Sequence, residues 1–304
     1  PVYAELRRRG QAVAWVHSGQ HREMAQSLYD FFDIRPEYEL QLERRDGSLA
    51  HLNALLLESL SAVYTQAQPS AVLVHGDTTS TLASAQAAFY LDIPIGHVEA
   101  GLRTFKPREP FPEEKNRELT ARLAHWHFAP TAGAAANLAR EGIASNAVHM
   151  VGNTAVDAAL GGAARLDHLL ASGALALPEP LQRLRPWLAH GRLITVTAHR
   201  RENWGTGIRD IARAVARLLQ ADPRLAVAWP VHGNPAVADT VHAELGELAA
   251  RLEGRLCLCP PLDYPALLWC LQNSALALTD SGGIQEEGAA LSRPVLVLRD
   301  TTER

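Results

Sequence analysis

Apolar positions along the chain fall into two alternating rhythms. Short apolar runs such as "AVLVHGD", "IPIGHVEAG", "HWHFAP" and "VHMVGN" read as strands. Between them, "SLAHLNALLLESLSAVYTQAQ", "TSTLASAQAAFYL", "PEEKNRELTARLA" and "AGAAANLAREG" space their apolar residues as amphipathic helices do. The strand "QAVAWVHSG" and the helix "HREMAQSLYDFF" open the series. Such strand–helix alternation predicts an α/β fold with parallel sheets covered by helices on both faces. Residues 154–190 break the rhythm, being rich in Ala, Gly and Pro with no clear strand. It resumes with "RLITVTAH", a helix from Ile208 to Gln220, "LAVAWPVHG", a helix over 235–252, and then "RLCLCPP", "YPALLWCLQ", "ALALTDSGG", "IQEEGAAL" and "PVLVLRD". The pattern predicts two Rossmann-like doubly wound domains, residues 1–160 and 161–304, with no array of short repeats. "PVYAELRRRG" reads as the second half of a helix ending at Gly10, and "RDTTER" follows directly on an apolar strand. The expectation is that both ends are truncations of a longer protein.

Composition narrows the class. The 304 residues are 47% hydrophobic and 20% charged, which is globular, and the net charge of -4 comes without a block of like charge. A general nucleic-acid binder would show a basic stripe. No apolar run reaches the ~18 residues of a membrane span, and no signal peptide is visible. Cys257, Cys259 and Cys270 are odd in number, which argues against a disulfide framework and for a reducing compartment. Cys257 and Cys259 alternate in "RLCLCP" and should face one side of a strand as core. No His/Cys set has zinc spacing, so no metal is expected.

In doubly wound sheets, ligands bind beyond the carboxyl ends of the strands. Those ends here read Gly19-Gln20-His21, Gly76-Asp77-Thr78, Glu99-Ala100-Gly101 and Gly152-Asn153-Thr154 in the first half. In the second half they read His199-Arg200-Arg201-Glu202-Asn203, His232-Gly233-Asn234 and Asp280-Ser281-Gly282-Gly283. Two such rims facing each other would make one central cleft. "TDSGGIQEEGAAL" is a strand, a Ser-Gly-Gly turn and a helix, where free N–H groups favour a phosphate or diphosphate; the plainer role for Ser281 is a helix cap. Glu286 and Glu287 are placed in the first turn, where one of them could accept from a ribose hydroxyl. His199 and Arg200 could neutralise a departing diphosphate, with Arg201 facing solvent. Asp77 could cap the helix that follows it, and Glu113 could serve a helix dipole. Glu99 ends a buried strand, where a carboxylate is costly unless used or paired. The loop "HVEAGLRTFKPREPFPEEKNR" packs Glu99, Glu113 and Glu114 with Arg103, Arg108 and Arg117 around several prolines. Its prolines restrict the backbone, and its arginines are expected to keep the acids ionised and oriented.

"HGDTTSTLASA", "HVEAGLRTF", "PFPEEKNR", "GNTAVDA", "TAHRREN", "PVHGN", "DSGGIQEE" and "RPVLVLRDTTER" follow one another in one order from about Gly19 to Arg304. Together they resemble the non-hydrolysing UDP-N-acetylglucosamine 2-epimerases of bacteria. The resemblance implies a two-Rossmann fold of the glycosyltransferase-B type and interconversion of UDP-GlcNAc and UDP-ManNAc, by elimination of UDP to 2-acetamidoglucal and re-addition. It implies no metal, nicotinamide or other cofactor. It places the essential acids on Asp77, Glu99 and Glu113 and the essential His on His199. The phosphate turn falls on Ser281, Gly282 and Gly283, the ribose acid on Glu287, and a further UDP ligand on Arg304. A second UDP-GlcNAc acting as activator would meet Gln20, Arg200 and His232. A cytoplasmic homodimer feeding cell-surface polysaccharide synthesis is implied as well. The family's first strand and its Gly-Thr-Arg-Pro-Glu loop would lie before Pro1, and its C-terminal segment beyond Arg304, so a chain that begins at Pro1 is expected to be weakly active or inactive. Leu262 and Leu267 stand where relatives carry an amide and an aromatic for uracil. Three other readings use the same residues: a glycosyltransferase of this fold, a hydrolysing epimerase and a UDP-sugar sensor.

Overall fold

The computed structural model describes residues 1–20, 22–190, 192–252 and 254–299, leaving aside the side chains at 22–24 and 190. By internal contacts the chain divides into two compact units, one of Pro1–Glu23 with Ile34–Thr154, the other of Met24–Asp33 with the chain from Ala155 onward. Both are α/β and built on parallel strands. No helix among the described residues is long and apolar enough to cross a membrane.

Up to Met150 the chain forms α1 (Val2–Arg8), β1 (Val16–His17), α2 (Arg22–Phe32), β2 (Tyr38–Glu39), α3 (Leu49–Ala67), β3 (Val72–His75), α4 (Thr79–Tyr90), β4 (Ile95–Val98), α5 (Glu113–Leu123), β5 (Trp126–Ala129), α6 (Ala132–Arg140) and β6 (Val148–Met150). β3, β4, β5 and β6 form one sheet in that order, and β1 pairs with β2 separately. The expected strand at 11–19 is therefore short, because its partner offers only two residues to pair. α3 buries Leu52, Leu56, Leu60 and Tyr64 at helical spacing. Against them α4 presents Ala83, Ala87 and Ala88, all without exposure. Alanines let the helices approach closely and cost no side-chain entropy. Thr78 and Thr131 cap α4 and α6 by accepting from Thr81 N and Ala134 N.

The second unit contains α7 (Thr154–Ala171), α8 (Glu179–Gln182), α9 (Arg185–His190), β7 (Arg192–Thr197), α10 (Thr206–Ala221), β8 (Leu225–Pro230), α11 (Pro235–Arg251), β9 (Leu256–Cys259), α12 (Tyr264–Asn273), β10 (Ser274–Thr279), α13 (Gly282–Ala290) and β11 (Val295–Val297). The stretch that breaks the sequence rhythm is thus helical, holding α7, α8 and α9. Gly162 allows close packing: a Cβ there would lie 2.9 Å from the Leu268 side chain and 3.5 Å from Phe31. Phe31 is itself buried, edge-on to Tyr264 at 6.0 Å, which is why residues 24–33 group with this unit. α10 buries Ile208, Ala212, Val215 and Leu219, one face of the helix, over the fully buried Trp229 of β8.

The sheet order is β11-β10-β7-β8-β9. From β7 the chain winds outward through β8 to β9, then returns to the other side of β7 for β10 and β11. The winding direction reverses between β7 and β10, so a crevice opens where the connections leaving these two strands diverge. His199 follows β7 and Ser281 follows β10.

In the first unit, Gly101 holds the turn after β4 with φ of +87°, and a Cβ there would stand 2.3 Å from the Ala134 carbonyl oxygen. Gly101→Ala is expected to cost at least the ~1–3 kcal/mol of a strained residue, measured as a lowered denaturation midpoint; an unchanged midpoint would refute the contact.

Candidate functional site

The crevice of the second unit is organised by a carboxylate. Asp280 has no exposed side-chain surface. Its Oδ2 accepts from His199 N at 2.9 Å, Arg200 N at 2.9 Å and Asn203 Nδ2 at 3.0 Å, and its Oδ1 lies 3.2 Å from His199 Nδ1. Asn203 also donates to Leu298 O, which joins the loop to the end of β11. The Asp280 carboxylate thus stands close to the His199 ring while its hydrogen bonds go to the loop backbone and Asn203. Burial holds His199 below the ordinary imidazole range, opposed by the Asp280 charge. His232 stacks on His199 with centroids 5.9 Å apart, and its Nδ1 accepts from Asn234 N.

Beside these rings, Ser281 opens α13. Thr279 Oγ1 accepts from Ser281 N at 3.0 Å and meets Thr197 Oγ1 at 2.6 Å, tying the turn to β7. Ser281 occupies the cap position but its hydroxyl makes no capping bond. The side-chain cap expected of Ser281 is therefore not formed, although the residue does occupy the cap position. Beside the start of α13 lies a cavity of about 370 Å³ lined by His199, His232, Tyr264, Ser281, Gly283 and Glu287, among others. A helix start with close-approaching glycines and an imidazole opposite suits a phosphate or diphosphate.

Glu286 and Glu287 do not sit in the first turn, because α13 begins at Gly282 and its first turn holds no acid. Glu287 instead lines the cavity one turn deeper. Burial pushes its carboxyl up to about 7, against the Tyr264 phenol, which lowers it. Leu262 and Leu267 contribute apolar wall to the same cavity. Of the residues assigned to an activator, His232 is at this cavity and Arg200 donates its backbone N–H to Asp280. Arg200 Nε is buried with no hydrogen-bond partner among the described residues. Gln20 belongs to the first unit, where Ser80 Oγ donates to its Oε1 at 2.7 Å. Arg304 lies outside the described residues.

In the first unit, Asp77 and Glu99 end adjacent strands, and Glu113 starts α5. Thr78 caps α4, so Asp77 is not needed there. Asp77 Oδ2 is 3.0 Å from Arg117 Nη2, and its carbonyl accepts from Asn116 Nδ2 at 2.9 Å. Glu113 lies one turn ahead of these two α5 residues, on their face of the helix. Glu99 has φ of +65°, rare for a residue with a side chain. Its Oε1 accepts from Asn153 Nδ2 at 3.3 Å, and its Oε2 is 3.7 Å from His75 Nε2. A Cβ on Gly76 would fall 3.4 Å from that Oε2. The ends of β3 and β4 thus bring Asp77 and Glu99 close, with α5 adding Glu113. The loop's arginines serve differently from expectation. Arg103, fully buried, pairs with Glu141 at 2.6 Å rather than with the candidate acids. Arg117 is the loop arginine that, among the described residues, contacts one of them. Sequence reasoning places Asp280 at a strand end without giving it a role, and does not single out Tyr264, Asn116 or the Glu114–Arg117 pair; the partners that matter to Asp280, Asn116 and Arg117 lie far off in sequence.

Comparison with known proteins gives one family. The model of the UDP-N-acetylglucosamine 2-epimerase family matches residues 4–304. A UDP-N-acetylglucosamine 2-epimerase of Salmonella typhimurium is 42% identical over 288 residues, 94% of this chain and 74% of that one. The crystal structure of UDP-GlcNAc 2-epimerase from Neisseria meningitidis bound to UDP-GlcNAc is 38% identical with a TM-score of 0.87, over 100% of this chain and 80% of that one. The Methanocaldococcus jannaschii UDP-GlcNAc 2-epimerase in complex with UDP-GlcNAc and UDP is 30% identical with a TM-score of 0.75, over 100% and 81%.

The folded chain holds the Glu287 proton to about 7, whereas the ordinary value is 4.5. Stability from this group therefore falls as pH rises across that interval. Glu287→Gln is expected to stabilise the unliganded protein at pH 8 by on the order of 2 kcal/mol and to have little effect at pH 4. Thermal melts at both pH values check this; an equal effect at both would contradict it.

Proposed function

Because the chain belongs to the UDP-N-acetylglucosamine 2-epimerase family, we propose that it interconverts UDP-GlcNAc and UDP-ManNAc by eliminating UDP and adding it back. The C2 proton of the sugar is not flanked by a carbonyl, so simple deprotonation is unfavourable. Loss of UDP across C1–C2 leaves 2-acetamidoglucal. Return of a proton to the other face of C2, with return of UDP to C1, inverts that carbon. Such a route requires acid/base groups for both faces and a cationic, donor-rich seat for UDP while it is detached.

One observation carries the reading: the imidazole of His199, set by buried Asp280, opposes the Ser281 turn across the β7/β10 switch point. In this reading Ser281, Gly282 and Gly283 donate to the diphosphate, and His199 offsets the charge that develops on it. Glu287 accepts from the ribose hydroxyls, which favours its ionised form. Asp77, Glu99 and Glu113 supply the proton traffic at C2, and Arg304 is a further UDP ligand. Gln20, Arg200 and His232 would contact a second UDP-GlcNAc acting as activator, and the working unit is a cytoplasmic homodimer of the non-hydrolysing kind.

Incubation of UDP-GlcNAc alone with the full-length protein, followed by proton NMR, should yield UDP-ManNAc without an acceptor. Free UDP with free ManNAc would mean a hydrolysing enzyme, and unchanged UDP-GlcNAc would favour a transferase or a sensor. Glu113→Gln should lower kcat by about 10²–10⁴-fold and leave UDP affinity by calorimetry unchanged; normal turnover would remove Glu113 from the chemistry. Ser281→Ala should weaken UDP binding, and an unaltered dissociation constant would refute the phosphate turn.

A further inference from the structure

The charge that organises the first unit is buried beneath the candidate acids. Glu114 has no exposed surface, and the Arg117 side chain is 3% exposed. Burying such a pair is expensive and is a poor way to stabilise a fold. Its connections point to another use. Glu114 Oε1 accepts from Thr104 N at 3.0 Å and Phe105 N at 2.8 Å, and Oε2 lies 3.1 Å from Thr104 N. The carboxylate is therefore consumed by the backbone of the loop that leaves Glu99. Arg117 is not consumed in the same way. Its Nε stands 3.6 Å from Glu114 Oε2, too far for a hydrogen bond, and neither Nε nor Nη1 has a hydrogen-bond partner among the described residues. Its one short contact runs from Nη2 to Asp77 Oδ2, at 3.0 Å. The preceding residue, Asn116, holds the Asp77 carbonyl at 2.9 Å.

We propose that Glu114 and Arg117 are positioning residues for the epimerisation: Glu114 fixes the loop after Glu99 to α5, and Arg117, steadied by Glu114, sets the position and charge of the Asp77 carboxylate. The proposal rests on the reading of Asp77 as an acid/base group. Two successive side chains of α5 grip Asp77 from one direction, while the helix carries Glu113 one turn earlier. One rigid element thus ties Asp77, Glu113 and the Glu99 loop into a single frame.

The test is the pH profile of kcat in the full-length protein. Among the described residues, the charged and titratable groups on the elements next to Asp77 include Arg117, which contacts it, Glu114 and Glu113 on α5, Glu99 after β4, His97 on β4 and His75 on β3. If Asp77 works ionised, activity falls as pH drops through its pKa. Arg117→Met removes the neighbouring cation, so the acid limb should move to higher pH. Glu114→Gln removes a neighbouring anion, so the acid limb should move to lower pH. Each variant should lower kcat about 10–100-fold with KM for UDP-GlcNAc unchanged, and Arg117→Lys should recover part of the Arg117→Met loss. A merely structural role would not move the two limbs in opposite directions. Limbs that stay put, or move together with a fall in melting temperature, overturn the proposal. Should Glu114→Gln fail to fold, Arg117→Met against Arg117→Lys carries the test: an unmoved acid limb in Arg117→Met, or no recovery in Arg117→Lys, is the overturning result. The underlying reading fails separately, if Asp77→Asn retains full activity.

Discussion

The second unit depends on a single buried negative charge. Asp280 is removed from water at the end of β10, where an unpaired carboxylate would be prohibitive. The cost is offset because the loop after β7 turns its N–H groups, an amide and a ring nitrogen toward it. That requirement couples strands that are neighbours in the sheet but lie 77 to 81 residues apart in sequence. It also explains why His199, though partly exposed, has a defined orientation. Asp280 holds the loop that carries His199, while Thr279 and Thr197 hold the Ser281 turn beside it.

The first unit solves a related problem in a different way. Its candidate carboxylates stand at strand ends and a helix start, partly buried. What holds them is beneath: Glu114 bound to loop backbone, Arg117 against Asp77, and Arg103 locked to Glu141 on the helix side of the loop. Charges that look interchangeable in the sequence are divided here into fully buried ones that hold the backbone and partly buried ones at strand ends and the start of α5. The positive φ of Glu99 belongs with this division, since a strained backbone persists only where its surroundings determine it.

Much of this was legible in the sequence because its signals are local. Helix periodicity, apolar runs and turn glycines found nearly every strand and helix, and strand-end polarity picked out Asp77, Glu99, His199 and Ser281. The failures came where the deciding partner is remote. The stretch after Thr154 reads as irregular partly because Gly162 is small for the sake of Phe31 and Leu268, which no local pattern reveals. Glu286 and Glu287 were set one turn too early because the start of α13 depends on backbone geometry at Ser281. Arg103 was grouped with nearby acids, whereas its partner Glu141 is 38 residues away. Composition cannot distinguish a buried hub such as Asp280 or Glu114 from a surface acid.

The measurement that bears most directly on the account is the fate of the C2 hydrogen. In heavy water, UDP-ManNAc formed from UDP-GlcNAc by the full-length protein should carry deuterium at C2, because the proton leaves to one carboxylate and returns from another that has exchanged with solvent. Product that keeps its original hydrogen at C2 would contradict proton transfer by these residues, and with it the chemistry assigned to the site.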